Sequence, residues 1–262
     1  MMNAMTTADQ AAGFRRLHTD PELLRLVNVW DVTSARVVAD VPGVAALATA
    51  SHSIAASLGL EDGEHISRDA MLDVVERVVA ATDLPVTADL EAGYGDPAET
   101  TRRAIGVGAV GMNLEDQMAP LADAVSAVEA VVSAATAEGV PDFVLNARTD
   151  AFLRAGDRPR GDVLDDALER GRAFLDVGAP VVFVPGGVTK DEIGRLVEAF
   201  GPGRLSLLAR PGGVAPARMA ELGVARVSFG PFSQSVALMA LQDLATSVVA
   251  GGGLPPDFRS LS

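Results

Sequence analysis

The chain has 262 residues, no cysteine and a formal net charge of −14. Without cysteine there are no disulfides, no thiolate–zinc sites and no Cys nucleophile or acid. The acidic balance offers no basic stripe, which argues against nucleic acid and anionic membrane surfaces as partners.

The length suits one (β/α)8 barrel, whose core needs roughly 250 residues, so a single domain over 1–262 is expected. Apolar residues make up 48% of the chain and aromatics only 4%. Such a core must be packed from Ala, Val and Leu, the mix of parallel strands covered by helices. The first ten residues, MMNAMTTADQ, have neither a basic nor an apolar leader region, and no run of about 18 apolar residues occurs. A cytoplasmic protein is expected.

In chain order, Ala8–Leu17 reads as a leading helix, followed by an entry loop to about Leu26. Strand patterns then recur at Leu26–Trp30, Val44–Thr49, Pro85–Leu90, Val110–Leu114, Asp142–Asn146, Val181–Val184, Leu205–Leu208 and Ala225–Phe229. Helical spacing fills the intervals, clearest at Met71–Ala81, Ala122–Glu138, Val163–Val177 and Lys190–Phe200. Gly108, Gly139, Gly178 and Gly223 each precede a strand, where a left-handed helix cap is expected. Gly251–Pro256 is the only low-complexity stretch, a flexible or crossing segment. Eight alternations with no glycine-rich nucleotide fingerprint after the first strand predict an α/β fold of the closed (β/α)8 TIM-type.

In such barrels chemistry sits at the C-terminal strand ends. There the third strand ends in Asp89-Leu90-Glu91 before Ala92-Gly93-Tyr94-Gly95, and alternation places both acids on one side. The fourth ends in Asn113-Leu114-Glu115-Asp116 and the fifth in Asn146-Ala147-Arg148-Thr149-Asp150. The second leads into Ala50-Ser51-His52, with Glu61-Asp62 in the loop beyond. Carboxylates converging on one mouth repel each other unless a cation neutralises them, and hard oxygen ligands favour Mg²⁺, with Mn²⁺ possible. Bland readings stand beside this one. Any single acid can be a helix cap, Arg148 an ion-pair partner, His52 a packed side chain, and Trp30 a pocket wall or plain core. Asp150 can simply cap the next helix, and His18 and His65 read as surface positions.

Together with Asn28-Val29-Trp30-Asp31, Ala55–Asp62 and Phe183-Val184-Pro185-Gly186, these motifs resemble the isocitrate lyase/phosphoenolpyruvate mutase superfamily from about Leu26 to Pro231. The resemblance implies a Mg²⁺-dependent barrel that makes or breaks C–C or P–C bonds beside a 2-oxo acid through an enolate-like species. By position, Asp89 looks like the direct metal ligand, Glu91 and Glu115 like acids holding the ion through water, and Asp62 like a lining residue of that network. Arg148 resembles the substrate-binding arginine, and Ala50-Ser51-His52 the turn that grips the substrate's carboxylate and oxo group. The resemblance also implies a homotetramer, a dimer of swapped dimers exchanging a C-terminal helix, here Gln234–Val249.

The departures narrow the chemistry. The lyases' Cys-bearing loop has no counterpart in a chain without Cys, and the loop Glu115–Asp123 lacks the Lys and Asn of mutase-like members. Reactions that release a stable fragment and let water reprotonate the enolate remain easiest, decarboxylation above all. Lyase cleavage of a 2-hydroxy diacid with His52 or Tyr94 as the acid is the second option. P–C bond chemistry (phosphoenolpyruvate mutase or phosphonopyruvate hydrolase) and a non-catalytic 2-oxo acid binder are the alternatives.

Overall fold

The computed structural model describes residues 5–259 and 261. Its elements run α1 (Thr7–Leu17), β1 (Leu24–Leu26), β2 (Asn28–Val29), α2 (Val32–Ala39), β3 (Leu47–Thr49), α3 (Ser51–Ser57), α4 (Arg68–Val79), β4 (Val86–Asp89), α5 (Pro97–Gly106) and β5 (Gly111–Glu115). They continue α6 (Leu121–Ala137), β6 (Val144–Arg148), α7 (Arg160–Asp176), β7 (Val181–Val184), α8 (Lys190–Phe200), β8 (Leu205–Leu208), α9 (Pro216–Glu221), β9 (Arg226–Ser228) and α10 (Phe232–Val249). Local signals start several helices: Asp31, Ser67, Asp96 and Thr189 each accept a hydrogen bond from the third residue of the helix they cap.

All strand pairs are parallel, and the chain closes a (β/α)8 barrel, because β1 pairs with β9 while β2 pairs with β3. The expected first strand is therefore one stave in two halves, interrupted at Val27. Followed round the ring, the pairings return to that stave eight residues below where they set out, the shear of a TIM barrel. That offset makes the lower half of the stave meet β9 and the upper half β3.

Side chains alternate between two environments. Val29, Leu47 and Val86 pack outward with Ala35 and Val78 of the helices, and Val182, Val184, Leu205, Leu207 and Val227 pack outward with residues of α7 and α8. Thr87, Asp89, Asn113, Asn146, Arg148, Ser206 and Arg226 therefore point into the barrel. The register sorts these inward residues into layers drawn from alternate staves. Asn28, Asp89, Arg148 and Leu208 form an upper layer. Two levels down lie Leu26, Thr87, Asn146 and Ser206, and just beneath them Ala46, Gly111, Val181 and Arg226.

The leading helix plugs the barrel floor: Phe14 is fully buried among Leu24, Leu26, Val144 and Val181. This corrects one expectation. His18, read as a surface residue, is buried at the end of α1, its ring edge-on to Phe14 and its Nδ1 3.0 Å from the Phe14 carbonyl. At the other end of the chain, the expected terminal helix is present as α10, whose Gln234 donates to the Ser53 carbonyl and to Ser57 Oγ. Among the described residues no helix is long and apolar enough to cross a membrane.

Candidate active site

The four acids singled out from sequence stand around the C-terminal mouth, in different settings. Asp89 ends β4 and accepts only from neutral donors: Ser51 N (3.2 Å) and Ser51 Oγ (3.0 Å) on Oδ2, and Asn113 Nδ2 (3.1 Å) on Oδ1. Its own N–H donates to Thr49 Oγ1 at 2.9 Å, which ties β4 to β3 at the rim. Ser51 Oγ is also 3.0 Å from Asp62 Oδ1, so two carboxylates compete for one hydroxyl proton.

Glu91 lies beyond the end of β4 with φ +52°, so strand alternation does not place it, contrary to the expectation from spacing. A left-handed turn aims it instead. It is buried, accepts from the Glu64 N–H, and its Oε1 lies 3.4 Å from the Tyr94 hydroxyl. Glu64 answers through Oε1, which accepts from Tyr94 N at 2.7 Å. Glu64, Tyr94, Gln117 and Met118 also have positive φ. Five non-glycine residues in this region, all at the mouth, mark backbone held in place by its surroundings.

Glu115 ends β5 and pairs with Arg148 of β6 (Oε2 to Nη1, 2.7 Å). Arg148 Nε donates in turn to Asp150 Oδ1 at 2.7 Å. Asp150 is buried in that ion pair and does not cap the next helix, which starts only at Arg160. Behind it stands Asp116, whose Oδ1 accepts from Asp150 N and Met118 N (3.0 Å each) while Oδ2 pairs with Arg170 at 3.1 Å. Asp116 and Arg170 thus brace the loop after β5. The Glu-Asp doublet pointed at Asp116; nothing local pointed at Arg170, one face of α7 among many.

Ala50 forms the cap of α3, Ser51 begins the helix, and His52 follows with an exposed side chain 3.6 Å from Asp62 Oδ2. Trp30 is half-buried against the core at the end of the first stave, its backbone N–H donating to Ser34 Oγ. Thus Ala50, Ser51, His52, Asp62, Asp89, Glu91, Tyr94, Glu115 and Arg148 share one rim. Sequence reading missed two contributors: Glu64, whose role depends on backbone geometry, and the amide pair Asn113–Asn146, in which Asn146 Nδ2 donates to Asn113 Oδ1 at 2.8 Å. The signal for the pair was available, as Asn at matching alternate positions of two apolar strands.

Burial, then Asp62, Asp89 and Glu115, push the Glu91 carboxyl up to about 7 against the Glu64 N–H. Burial also pushes Glu115 up to about 7, with Asp150 and Asp89 adding to it, although Arg148 opposes. Burial works against the charge on Arg148, but Glu115, Asp150 and Asp89 hold its guanidinium above the ordinary value. The acids thus repel one another around Arg148, while Arg226 attracts Asp89 from below. A divalent cation fits this excess: the donors are hard oxygens, and Asp89 forms no ion pair among the described residues. No three described Asp, Glu or His side chains converge into a cage. Asp89, Glu91 and Glu115, all on the same rim, are the residues that could hold such an ion.

The phosphoenolpyruvate phosphomutase family model matches residues 14–249. An uncharacterized Mycobacterium tuberculosis (strain ATCC 25618 / H37Rv) protein is 32% identical over 244 residues, which cover 92% of this chain and 91% of that protein. The 2,3-dimethylmalate lyase of Eubacterium barkeri is 29% identical over 255 residues, covering 91% of this chain and 86% of the lyase. Among solved structures, a Burkholderia cenocepacia J2315 protein provisionally named a phosphonomutase superposes with a TM-score of 0.85 at 42% identity, covering 91% of this chain and 99% of that one.

Proposed function

Because the chain belongs to the phosphoenolpyruvate phosphomutase family, within the isocitrate lyase/phosphoenolpyruvate mutase superfamily, we propose that it is a Mg²⁺-dependent lyase. It cleaves a C–C bond next to the carbonyl of a small 2-oxo or 2-hydroxy acid. The observation that carries this reading is the mutual repulsion of Asp89, Glu91 and Glu115, with Asp62 behind, around the Arg148 guanidinium. A bound divalent ion supplies Lewis acidity to the carboxylate and carbonyl oxygens of a 2-oxo acid.

The chain's own groups do the rest. The Ala50–His52 turn receives the substrate's carboxylate end. Arg148, fixed between Glu115 and Asp150, presents positive charge where an enolate oxygen develops, and needs no reorganisation to do so. Tyr94 lies half-buried beside Glu91, and burial with the surrounding acids raises its phenol, so it stays an O–H donor and cannot serve as a base. His52, exposed at the rim 3.6 Å from Asp62 Oδ2, is the group that returns a proton in this reading.

Decarboxylation or retro-aldol cleavage fits this equipment better than P–C chemistry. The loop from Gln117 to Asp123 carries no Lys or Arg to meet a phosphonate, although the family model's own description favours that second reading. The exposed apolar side chains of α10, Val236, Leu238, Met239 and Leu241, fit its exchange between subunits of a homo-oligomer.

The test is to incubate the purified protein and Mg²⁺ with oxaloacetate, 2,3-dimethylmalate, methylisocitrate and phosphonopyruvate, following pyruvate, oxalate, phosphoenolpyruvate and phosphate. Pyruvate or oxalate without phosphoenolpyruvate or phosphate, abolished by EDTA, is expected. Turnover of phosphonopyruvate alone overturns the C–C assignment, and no turnover with intact Mg²⁺ binding points to a non-catalytic 2-oxo acid binder.

A further inference from the structure

Beneath Asp89 the barrel is filled with polar groups that find no protein partner among the described residues. Thr87 Oγ1, Asn146 Oδ1 and Ser206 Oγ belong to one layer, and Arg226 Nε and Nη1 come from the layer below. His18 Nε2, on the floor helix, is likewise unpartnered. Arg226 is 1% exposed and the largest fully buried side chain, with Ala46 and Gly111 as small neighbours in its layer and the Phe14 ring 5.8 Å from its guanidinium carbon. Burial draws its guanidinium down only to about 9, so it is charged at neutral pH, whereas burial and Arg226 hold His18 neutral by lowering it to about 3. A buried guanidinium without hydrogen bonds is too costly to persist.

The unpartnered atoms complement one another. Arg226 offers three N–H donors, one on Nε and two on Nη1. Asn146 Oδ1 is an acceptor by deduction: Asp89 Oδ1 must receive Asn113 Nδ2, which turns Asn113 Oδ1 to Asn146 Nδ2 and leaves the Asn146 oxygen facing the lumen. His18 Nε2 is a second acceptor, since Nδ1 serves the Phe14 carbonyl. Thr87 and Ser206 can do either. A single anion would satisfy the donors and repel both acceptors, whereas water satisfies all of them.

We propose that a cluster of ordered water fills this layer and completes a hydrogen-bond relay from Arg226 through water, Asn146 and Asn113 to Asp89 Oδ1. Arg226 is then a positioning residue: it fixes the two amides, and through them the carboxylate that faces the metal. The link to metal rests on the function proposed above, but the water cluster does not.

Two measurements test it. A high-resolution crystal structure should show water bonded to both Arg226 and Asn146 Oδ1; a halide there, or no solvent, overturns the proposal. Calorimetric Mg²⁺ titration of Arg226→Met should show affinity lower by about tenfold, the cost typical of removing support behind a metal ligand, with Arg226→Lys restoring most of it. If the Met variant does not fold, the near-isosteric Thr87→Val should weaken Mg²⁺ severalfold by removing one partner of the water. Folded variants that bind Mg²⁺ like the wild type overturn the relay. A wild type that binds no Mg²⁺ overturns the metal reading, and the crystal structure still decides on the water.

Discussion

Glu115 already has Arg148, whereas Asp89, like Glu91, accepts hydrogen bonds only from neutral donors. Among the described residues Asp89 forms no ion pair, so its charge is open to a cation. Asp89→Asn keeps the shape and loses the charge, so Mg²⁺ affinity measured by calorimetry should fall by more than about a hundredfold, beyond the range for residues behind the ligands, with the thermal melt retained. Glu91 and Glu115 predict a pH effect. Both are raised to about 7 from 4.5, so between those values the folded metal-free protein binds more protons than the unfolded chain. Its stability should therefore fall as pH rises through that window and level off above it. A cation that neutralises the acids should raise the melting temperature more at about pH 8 than at about pH 5.5, which scanning fluorimetry with and without Mg²⁺ checks.

At the scale of elements, strands were legible because their apolar runs are short and bounded, and β7, β8 and α8 lie where periodicity puts them. Asp89, Glu115 and Arg148 were legible for the same reason, as polar residues closing apolar runs. What depends on long-range geometry was not. The split first stave follows from shear, the placement of Glu91 from a positive φ, and the burial of His18 from docking α1 under the floor. Arg226 left a signal that went unused, a charged residue inside the run Ala225–Phe229. Gly111 of β5 likewise has a reason visible only in three dimensions: a Cβ there would sit 2.5 Å from the Val144 carbonyl oxygen and 3.2 Å from Thr87 Oγ1. Gly111→Ala should therefore destabilise the barrel by about 2 kcal/mol, as overpacking does, read as a lowered melting temperature.

For the whole molecule, the acidic surface and the acidic mouth are separate matters: the first concerns solubility, and the second is focused where Arg148 and a cation can invert the local field. The exposed apolar side chains of α10 predict association through that helix. Light scattering should find the wild type associated and Leu238→Asp with Met239→Asp monomeric, while the far-ultraviolet circular dichroism of the barrel is kept. The central claim, that Asp89, Glu91 and Glu115 share one divalent ion, is tested most directly by titrating Mg²⁺ near pH 7 in two buffers of different ionisation enthalpy. The account predicts binding accompanied by proton release, because Glu91 and Glu115 give up the protons that burial and repulsion make them hold. Binding with no proton released, or no binding at all, would contradict it.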